Sequence, residues 1–423
     1  MATSVEMTVK RASRKRSVGA VVEGLLTKYA LPVAFFAFLC SISRIGLEFV
    51  PSTTGLSWSI AYVFLILAAS QNFEVYLALV RRNAIFLLAP LFAICSAFWS
   101  IEPGLSAYSA WLLLMNYLVG FLLAERLGLK KTLIFIFCFA LIIQVLSLGL
   151  VAIKYPGAFN AVGEAAGLYL HKNTLSMHAC LLYFTGVLLF ADGWRRPLAA
   201  TGALVALMGV AASESGTGKV MIAMVSAIMT ACWILTSSRR WSAFISGLSL
   251  ILGCGAVAVL LLGNYDVSAT ILNALGKDAT LTGRTELWNE AYKSFEQYPW
   301  LGVGYYAFWN STETAATSIW IMTGQILVSF HNIYLDRLVD VGALGLSLFV
   351  ASLAVLFWRS WCYFWINKSP LGAWPLVFTI YVTILGFSEY PIFYNNEFQL
   401  FFSLAAAVTS GVKMGKPITT KPR

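Results

Sequence analysis

Apolar runs of membrane length alternate with short polar or basic breaks along most of the chain. A hydrocarbon core about 30 Å thick needs roughly 20 apolar residues per spanning helix. Measured against that length, the runs fall at 29–45, 53–70, 84–100, 105–124, 131–153, 174–191, 197–213, 219–236, 243–262, 331–357, 371–388 and 392–412. The second is short, and the last carries Asn395, Asn396 and Glu397 near its start. The pattern predicts an all-α polytopic integral membrane protein with about 12 transmembrane helices.

One region breaks the pattern. Residues 263–330 form a large loop between two spans, and within it "LTGRTELWNEAYKSFEQYPWLGVG" (Leu281 to Gly304) reads as a charged amphipathic helix. Leu287, Trp288, Ala291, Tyr292, Phe295 and Tyr298 make its apolar face, with Glu286, Asn289, Glu290, Lys293, Glu296 and Gln297 opposite. Thr282 or Thr285 can cap its start, and Pro299 ends it. Such a helix lies on a membrane or caps a bundle rather than crossing it.

Charge orients the spans, because cytoplasmic loops hold the basic excess. With the N-terminus inside, the cytoplasmic segments collect 21 of the 29 Lys and Arg residues. The expected organisation is a cytoplasmic basic tail (1–28), nine helices (29–262), a large outer loop (263–330), three helices (331–412) and a second cytoplasmic basic tail (413–423). The first helix is expected to be a retained anchor, since no small-x-small cleavage pattern follows it. The formal net charge of +10 therefore reflects topology, not a nucleic-acid partner. Of the seven cysteines none falls in an outer loop, and no CxxC or Cys/His spacing suggests a disulfide or structural zinc.

The outer ends of the spans carry the candidate chemistry. Arg284 sits in the first turn of the amphipathic helix, where free backbone N–H groups favour an anion. Gly302 and Gly304 of "PWLGVG" would let the backbone approach a ligand closely. "LHKNTLS" places His171, Lys172 and Asn173 at the start of one span, with His178 a heptad further in and suited to hydrogen-bonded packing. "FHNIYLDRLVDVGALG" places His331 and Asn332 at the start of another, followed by Asp336, Arg337 and Asp340. Polar groups at that depth face the bundle or a wet cavity. "SESGTGKV" (Ser213 to Val220) fails as a phosphate-binding loop and reads as an outer turn that brings Lys219 to the surface.

These stretches resemble the O-antigen ligase and polysaccharide polymerase family of bacterial membrane glycosyltransferases. The resemblance rests on "TGRTELW" through "PWLGVGYYAF" and then "HNIYLDRLVDVGALGL", and covers about residues 165–350. It implies Arg284 and His331 as the functional pair, and "HKN" at 171–173 is similar to the exopolysaccharide polymerase branch. Where that family often has a basic residue after an S-x-S turn, this chain has Gly216 after Ser215, with Lys219 three residues on. The implied donor is a glycan on polyprenyl pyrophosphate. The acceptor is a glycan or glycolipid, membrane lipid is the other partner, and a chain-length regulator is a further candidate. Arg284, Lys172 and Lys219 would meet phosphates, with His171, Asn332, Arg337, Gly302 and Gly304 as further substrate contacts. His331 would act as a general base or bind pyrophosphate as the imidazolium. No metal or cofactor is expected: the outer acids Glu286, Glu290, Asp336 and Asp340 form no DxD-like pair.

The implied reaction is polymerisation of lipid-linked repeats at the outer face of the bacterial inner membrane, with ligation to lipid A-core as the alternative. A secondary transporter shares the twelve-span layout. Transporters, however, tend to bury ionisable residues near the midplane and to show repeated halves, and neither feature is visible here.

Overall fold

In the computed structural model, residues 62–63, 73–160, 163–169, 171–236, 284–324, 326–394 and 397–411 are described. Among them the chain is helical, with one isolated bridge between Phe159 and Ala165 and no strand. The chain divides into two compact units, Met1–Arg81 and Arg82–Arg423. Of the first, residues 62–63 and 73–81 are described, the latter within helix α1 (Phe73–Arg82).

The second unit holds α2 (Ala84–Cys95), α3 (Pro103–Ala152), α4 (Lys172–Ala191), α5 (Arg196–Ser213), α6 (Gly216–Thr236) and α7 (Arg284–Gln297). They are followed by α8 (Ala316–Thr323), α9 (Ile333–Asn367), α10 (Trp374–Leu385) and α11 (Glu397–Thr409). Among the described residues, α3, α4, α5, α6 and α9 are long and apolar enough to cross a membrane. The expected spans 29–45 and 243–262, and all but residues 62 and 63 of 53–70, lie outside the described residues.

α4 is the central post, with α3, α5, α6 and α10 packed around it. A surface helix buries one stripe. α4 instead buries Leu175, His178, Cys180, Leu182, Phe184 and Leu189, which face in several directions. α5 lies along it with a buried face of Ala199, Gly202, Ala206 and Gly209, small residues that let two helices approach closely in lipid. His178 packs as its position suggested: its ring stacks on Tyr169 at 4.5 Å, and Nδ1 lies 2.8 Å from the Thr174 carbonyl.

Two of the long helices are interrupted. α3 breaks at Gly128 (φ 68°, ψ 172°), which separates the two spans expected at 105–124 and 131–153. Arg126, Lys130 and Lys131 flank that break, and Lys130 pairs with Asp192 at the end of α4 at 2.8 Å. α9 was expected as one span over 331–357. It breaks at Gly342 (φ 65°, ψ −173°) and runs on to Asn367. The break removes intrahelical partners from backbone groups that would be costly to leave bare inside a bundle.

The segment Pro299–Gly304 supplies those partners. Ala343 and Leu344 donate their N–H groups to the carbonyls of Pro299 (2.8 Å) and Trp300 (3.3 Å). In return the Val303 and Gly304 N–H groups donate to the carbonyls of Val339 (3.1 Å) and Asp340 (2.8 Å). The other edge of the segment is held by the stretch leading into α3. Ile101 N–H donates to the Val303 carbonyl (3.1 Å), Trp99 Nε1 to the Leu301 carbonyl (3.0 Å) and Ser106 Oγ to the Tyr305 carbonyl (2.8 Å). "PWLGVG" is therefore a bridge laid into a broken helix.

This bridge docks the amphipathic helix. α7 ends at Gln297, just before it, and packs against α9 through Leu287 and Ala291. Leu287 and Ala291 join a buried cluster with Val303, Phe308, Trp309, Ile319, Phe330 and Leu335. The expected apolar face is split: Tyr292 and Tyr298 are exposed. α7 is thus fixed by protein contacts along a narrower stripe.

Gly302 and Gly342 meet where the bridge crosses the break. A Cβ on Gly302 would stand 2.5 Å from the Asp340 carbonyl carbon, and one on Gly342 would fall on the Trp300 carbonyl. Gly128 has similar dihedrals but open space around it. Gly342→Ala should therefore cost about 1–3 kcal/mol more than Gly128→Ala, the difference being overpacking. Unfolding of both variants in detergent measures this; equal losses would mean that the close packing at the bridge contributes nothing.

Candidate functional site

The site gathers where α4, α6 and α9 begin and α10 ends. Its centre is Glu389, set just beyond α10 by a helical hydrogen bond from its N–H to the Leu385 carbonyl (2.9 Å). Three elements far apart in sequence converge on its carboxylate. Arg284 Nη2, in the first turn of α7, is 3.5 Å from Oε1, and His331 Nδ1, just before α9, is 3.6 Å from Oε2. Asn173 Nδ2, in the first turn of α4, donates to Oε1 at 2.7 Å. The start of α9 is tied to the end of α10 by Ile333 N–H to the Gly386 carbonyl (2.9 Å) and Tyr334 Oη to the Thr383 carbonyl (2.7 Å). That attachment sets the distance between His331 and Glu389.

Neither charged contact is closed into a hydrogen bond. Both lie beyond the usual 2.7–3.2 Å, and His331 Nδ1 is buried with no hydrogen-bond partner. Side-chain exposure is 10% for Glu389, 17% for Arg284 and 27% for His331, so the cluster is sheltered but open on one side. His331 also has φ 53°, uncommon for a residue with a Cβ and most often found where a site imposes it.

A second layer holds the first in place. Asn173 accepts from Ser215 Oγ through its Oδ1 (2.8 Å), which leaves its amide nitrogen for Glu389. Ser215 opens the turn into α6 and its hydroxyl also accepts from the Gly218 N–H (3.2 Å). "SESGTGKV" therefore acts through Ser215. Lys219 is exposed, one turn beyond.

Next to Asn173, Lys172 pairs with Glu164, which also accepts from Asn160 Nδ2 at 2.9 Å. Partial burial pushes the Glu164 carboxyl up, but Lys172 and Asn160 outweigh it and hold it below the ordinary carboxylate value. A lowered carboxyl contributes stability above the ordinary carboxylate pKa and loses it as the pH falls through the folded value. His171 lies at the rim, exposed overall. Crowding of its ring and then the charge of His331 lower its pKa, against Glu389 and Glu164, which raise it. These electrostatic influences from His331 and Glu389 put His171 beside the same cluster.

The structure brings Arg284 and His331 together on Glu389, with His171 beside them and Lys172 on the neighbouring Glu164, and sets the other candidates elsewhere. Asn332 caps α9, accepting from the Tyr334 and Leu335 N–H groups at 3.0 and 3.3 Å. Arg337 is fully buried, 3.1 Å from Asp340 and flanked by the rings of Tyr305 (4.9 Å) and Tyr394 (4.4 Å). That guanidinium is committed to the protein interior. Gly302 and Gly304 do permit close approach, but to Asp340 and Ser100 of the chain itself. Asp336 and Asp340 are each engaged by separate donors of the chain. Asp336 accepts from Ser329, Phe330 and Trp309, and Asp340 from the Tyr306 and Phe308 N–H groups.

Sequence reasoning passed over Glu389, Glu164 and Ser215. A signal for Glu389 existed: after Asp340 the chain has two acids, Glu389 and Glu397, and Glu389 stands at a span end. Its pairing with a helix 105 positions earlier (Arg284) had no trace in local pattern.

A helical, multi-pass membrane protein with basic, imidazole and carboxylate groups gathered at one end of the bundle is the class these observations define. Residues 201–350 match the family described as O-antigen ligase. The chain is similar to the exopolysaccharide production protein ExoQ of Rhizobium meliloti, 28% identical over 365 residues, 83% of this chain and 79% of that protein. It is also similar to an O-antigen ligase of Pseudomonas aeruginosa, 29% identical over 196 residues, 46% of this chain and 43% of that one. The family match over residues 201–350 and the two relatives together support a likeness to the O-antigen ligase/polymerase-like family of bacterial membrane proteins.

The Asn173–Glu389 bond is open to direct measurement. A double-mutant cycle with Asn173→Ala and Glu389→Ala, read by unfolding in detergent, should give a coupling of about 1.5–3 kcal/mol for a hydrogen bond to a charged group. Additive losses would mean that the contact carries no energy.

Proposed function

We propose that this chain polymerises lipid-linked oligosaccharide repeats in exopolysaccharide or O-antigen synthesis, transferring glycan from a polyprenyl pyrophosphate donor to an acceptor sugar hydroxyl. The observation that carries the reading is the convergence of Arg284 and His331 on Glu389, with His171 beside them and Lys172 paired to the neighbouring Glu164. A diphosphate leaving group needs preorganised cations where its charge develops. Arg284 offers planar paired donors, and Lys172 offers a point charge from the neighbouring helix.

In the proposed step the acceptor oxygen bonds to the anomeric carbon as the bond from that carbon to the diphosphate oxygen breaks. The hydroxyl proton passes to His331 Nε2, whose Nδ1 faces Glu389. The carboxylate then stabilises the imidazolium that forms and holds the ring in the useful tautomer. His171, at the exposed rim, would bind acceptor or sugar hydroxyls. The electrostatic work falls to Arg284 and Lys172, so we assign no metal to the step. Both termini are placed in the cytoplasm and the site at the outer face of the inner membrane, on the distribution of Lys and Arg.

Polymerisation is preferred because the similarity to the exopolysaccharide production protein extends over most of both chains. Ligation to a lipid A-core acceptor is the second reading, favoured by the matched family description and the second relative. A deletion strain complemented with wild type, Arg284→Ala or His331→Ala, at matched membrane levels, separates them. Polymerisation predicts that both variants lose long polymer and accumulate single lipid-linked repeats, with transfer down by about 100-fold or more. Long polymer that persists on its carrier without reaching lipid A would establish ligation, and unchanged glycans would refute both. Arg284→Lys should lose about 10-fold or more if the paired geometry matters; full activity would show that charge alone suffices.

A further inference from the structure

Arg284 and His331 lie on separate elements 47 positions apart, and each is aimed at the same carboxylate. Two contacts beneath them meet on the turn Ser329–His331. From the α7 side, Trp288 Nε1 donates to the Phe330 carbonyl at 3.0 Å. Trp288 is one helical turn beyond Arg284, so this bond ties the Arg284 helix directly to the peptide next to His331. From the α9 side, Asp336 accepts from Ser329 Oγ at 2.6 Å and from the Phe330 N–H at 2.9 Å. Ser329 Oγ in turn accepts from the His331 N–H at 2.9 Å. Trp309 Nε1 donates to Asp336 at 3.2 Å and holds that carboxylate from behind.

Phe330, fully buried against Phe308 and Trp309, anchors the middle of the turn. The turn is therefore held on both sides while His331 sits at φ 53°. An unfavoured backbone of that kind persists only where its surroundings over-determine it.

We infer that Trp288 and the Ser329–Asp336 pair are positioning residues that clamp the Ser329–His331 turn, so that Arg284 and His331 keep one fixed register about Glu389. None of the three touches the open side of the cluster through these bonds. Their effect on transfer runs through the placement of His331 relative to Arg284, and a displacement of about 1 Å at such a site costs on the order of 100-fold in rate. The effect on turnover rests on the proposed transferase reading; the effect on the placement of His331 does not.

The chain's three histidines make the test direct. In full-length protein labelled at histidine, the ring signals can be assigned with His171→Gln and His178→Asn. Trp288→Phe keeps an aromatic ring but removes the N–H, and Ser329→Ala removes the bridging hydroxyl. Each variant should shift the His331 signal and leave that of His178, packed between Tyr169 and Phe398, unmoved, with the unfolding temperature close to wild type. Turnover should fall about 10- to 100-fold with the donor KM nearly unchanged. An unshifted His331 signal in both variants would overturn the clamp whatever the activity. So would shifts of His178 and His331 together with a lowered unfolding temperature, which mark general loosening. A shifted His331 signal with Arg284→Ala and His331→Ala fully active would support the clamp and refute the transferase reading.

Discussion

An interrupted helix inside a membrane bundle must find new partners for the backbone groups that its break exposes. In this chain the break at Gly342 finds them in Pro299–Gly304, and much of the outer end of the bundle follows from that pairing. The bridge fixes where α7 ends and so where its Arg284 end can reach. It also carries the chain into Tyr305–Trp309, whose N–H groups and indole satisfy Asp340 and Asp336. Those two carboxylates, one shielding Arg337 and the other holding Ser329 and Phe330, are structural because the bridge makes them so.

The charged residues then separate into two groups by environment. Arg337, Asp336 and Asp340 are sealed in protein: the two carboxylates accept hydrogen bonds, and the guanidinium is paired with Asp340 and lies between the rings of Tyr305 and Tyr394. Arg284, His331 and Glu389 are only partly sheltered, and their contacts of 3.5 and 3.6 Å are looser than hydrogen bonds. The sealed group is held by its own contacts, whereas the open one is the group that, in the proposed step, would exchange its internal carboxylate contact for the donor's phosphate oxygens. At the neighbouring position Lys172 also rests on a carboxylate, but as a closed hydrogen bond to Glu164. Each cation on which the proposed step depends thus rests against a carboxylate of the chain itself.

The helical class and most segment limits within the described residues could be read from hydropathy, because each span must supply its own apolar length and its own backbone bonds. Both helix breaks escaped it in part. At Gly128 the basic flank marked two spans, while at Gly342 the apolar residues continue on both sides and the charges before it were read as one polar span end, which hid the interruption. The amphipathic helix was legible, but its face was drawn too wide, since Tyr292 and Tyr298 satisfy the periodicity without being buried. Gly302 and Gly304 were recognised as places of close approach; what approaches them is the chain, a fact that belongs to α9 and α3.

Arg284, His331, His171 and Lys172 stood out because basic and imidazole side chains are scarce at the span ends expected to face outward, where 8 of the 29 Lys and Arg residues fall. That scarcity, together with length and periodicity, is what the sequence by itself determined: a helical membrane protein with its chemistry at span ends. Only the tertiary structure decided which of those groups share a site. Hydropathy registers the depth of a residue along one helix. The meeting of α4, α7, α9 and α10 at Glu389 depends on contacts across the bundle, between residues up to 216 positions apart, and such contacts leave no local pattern.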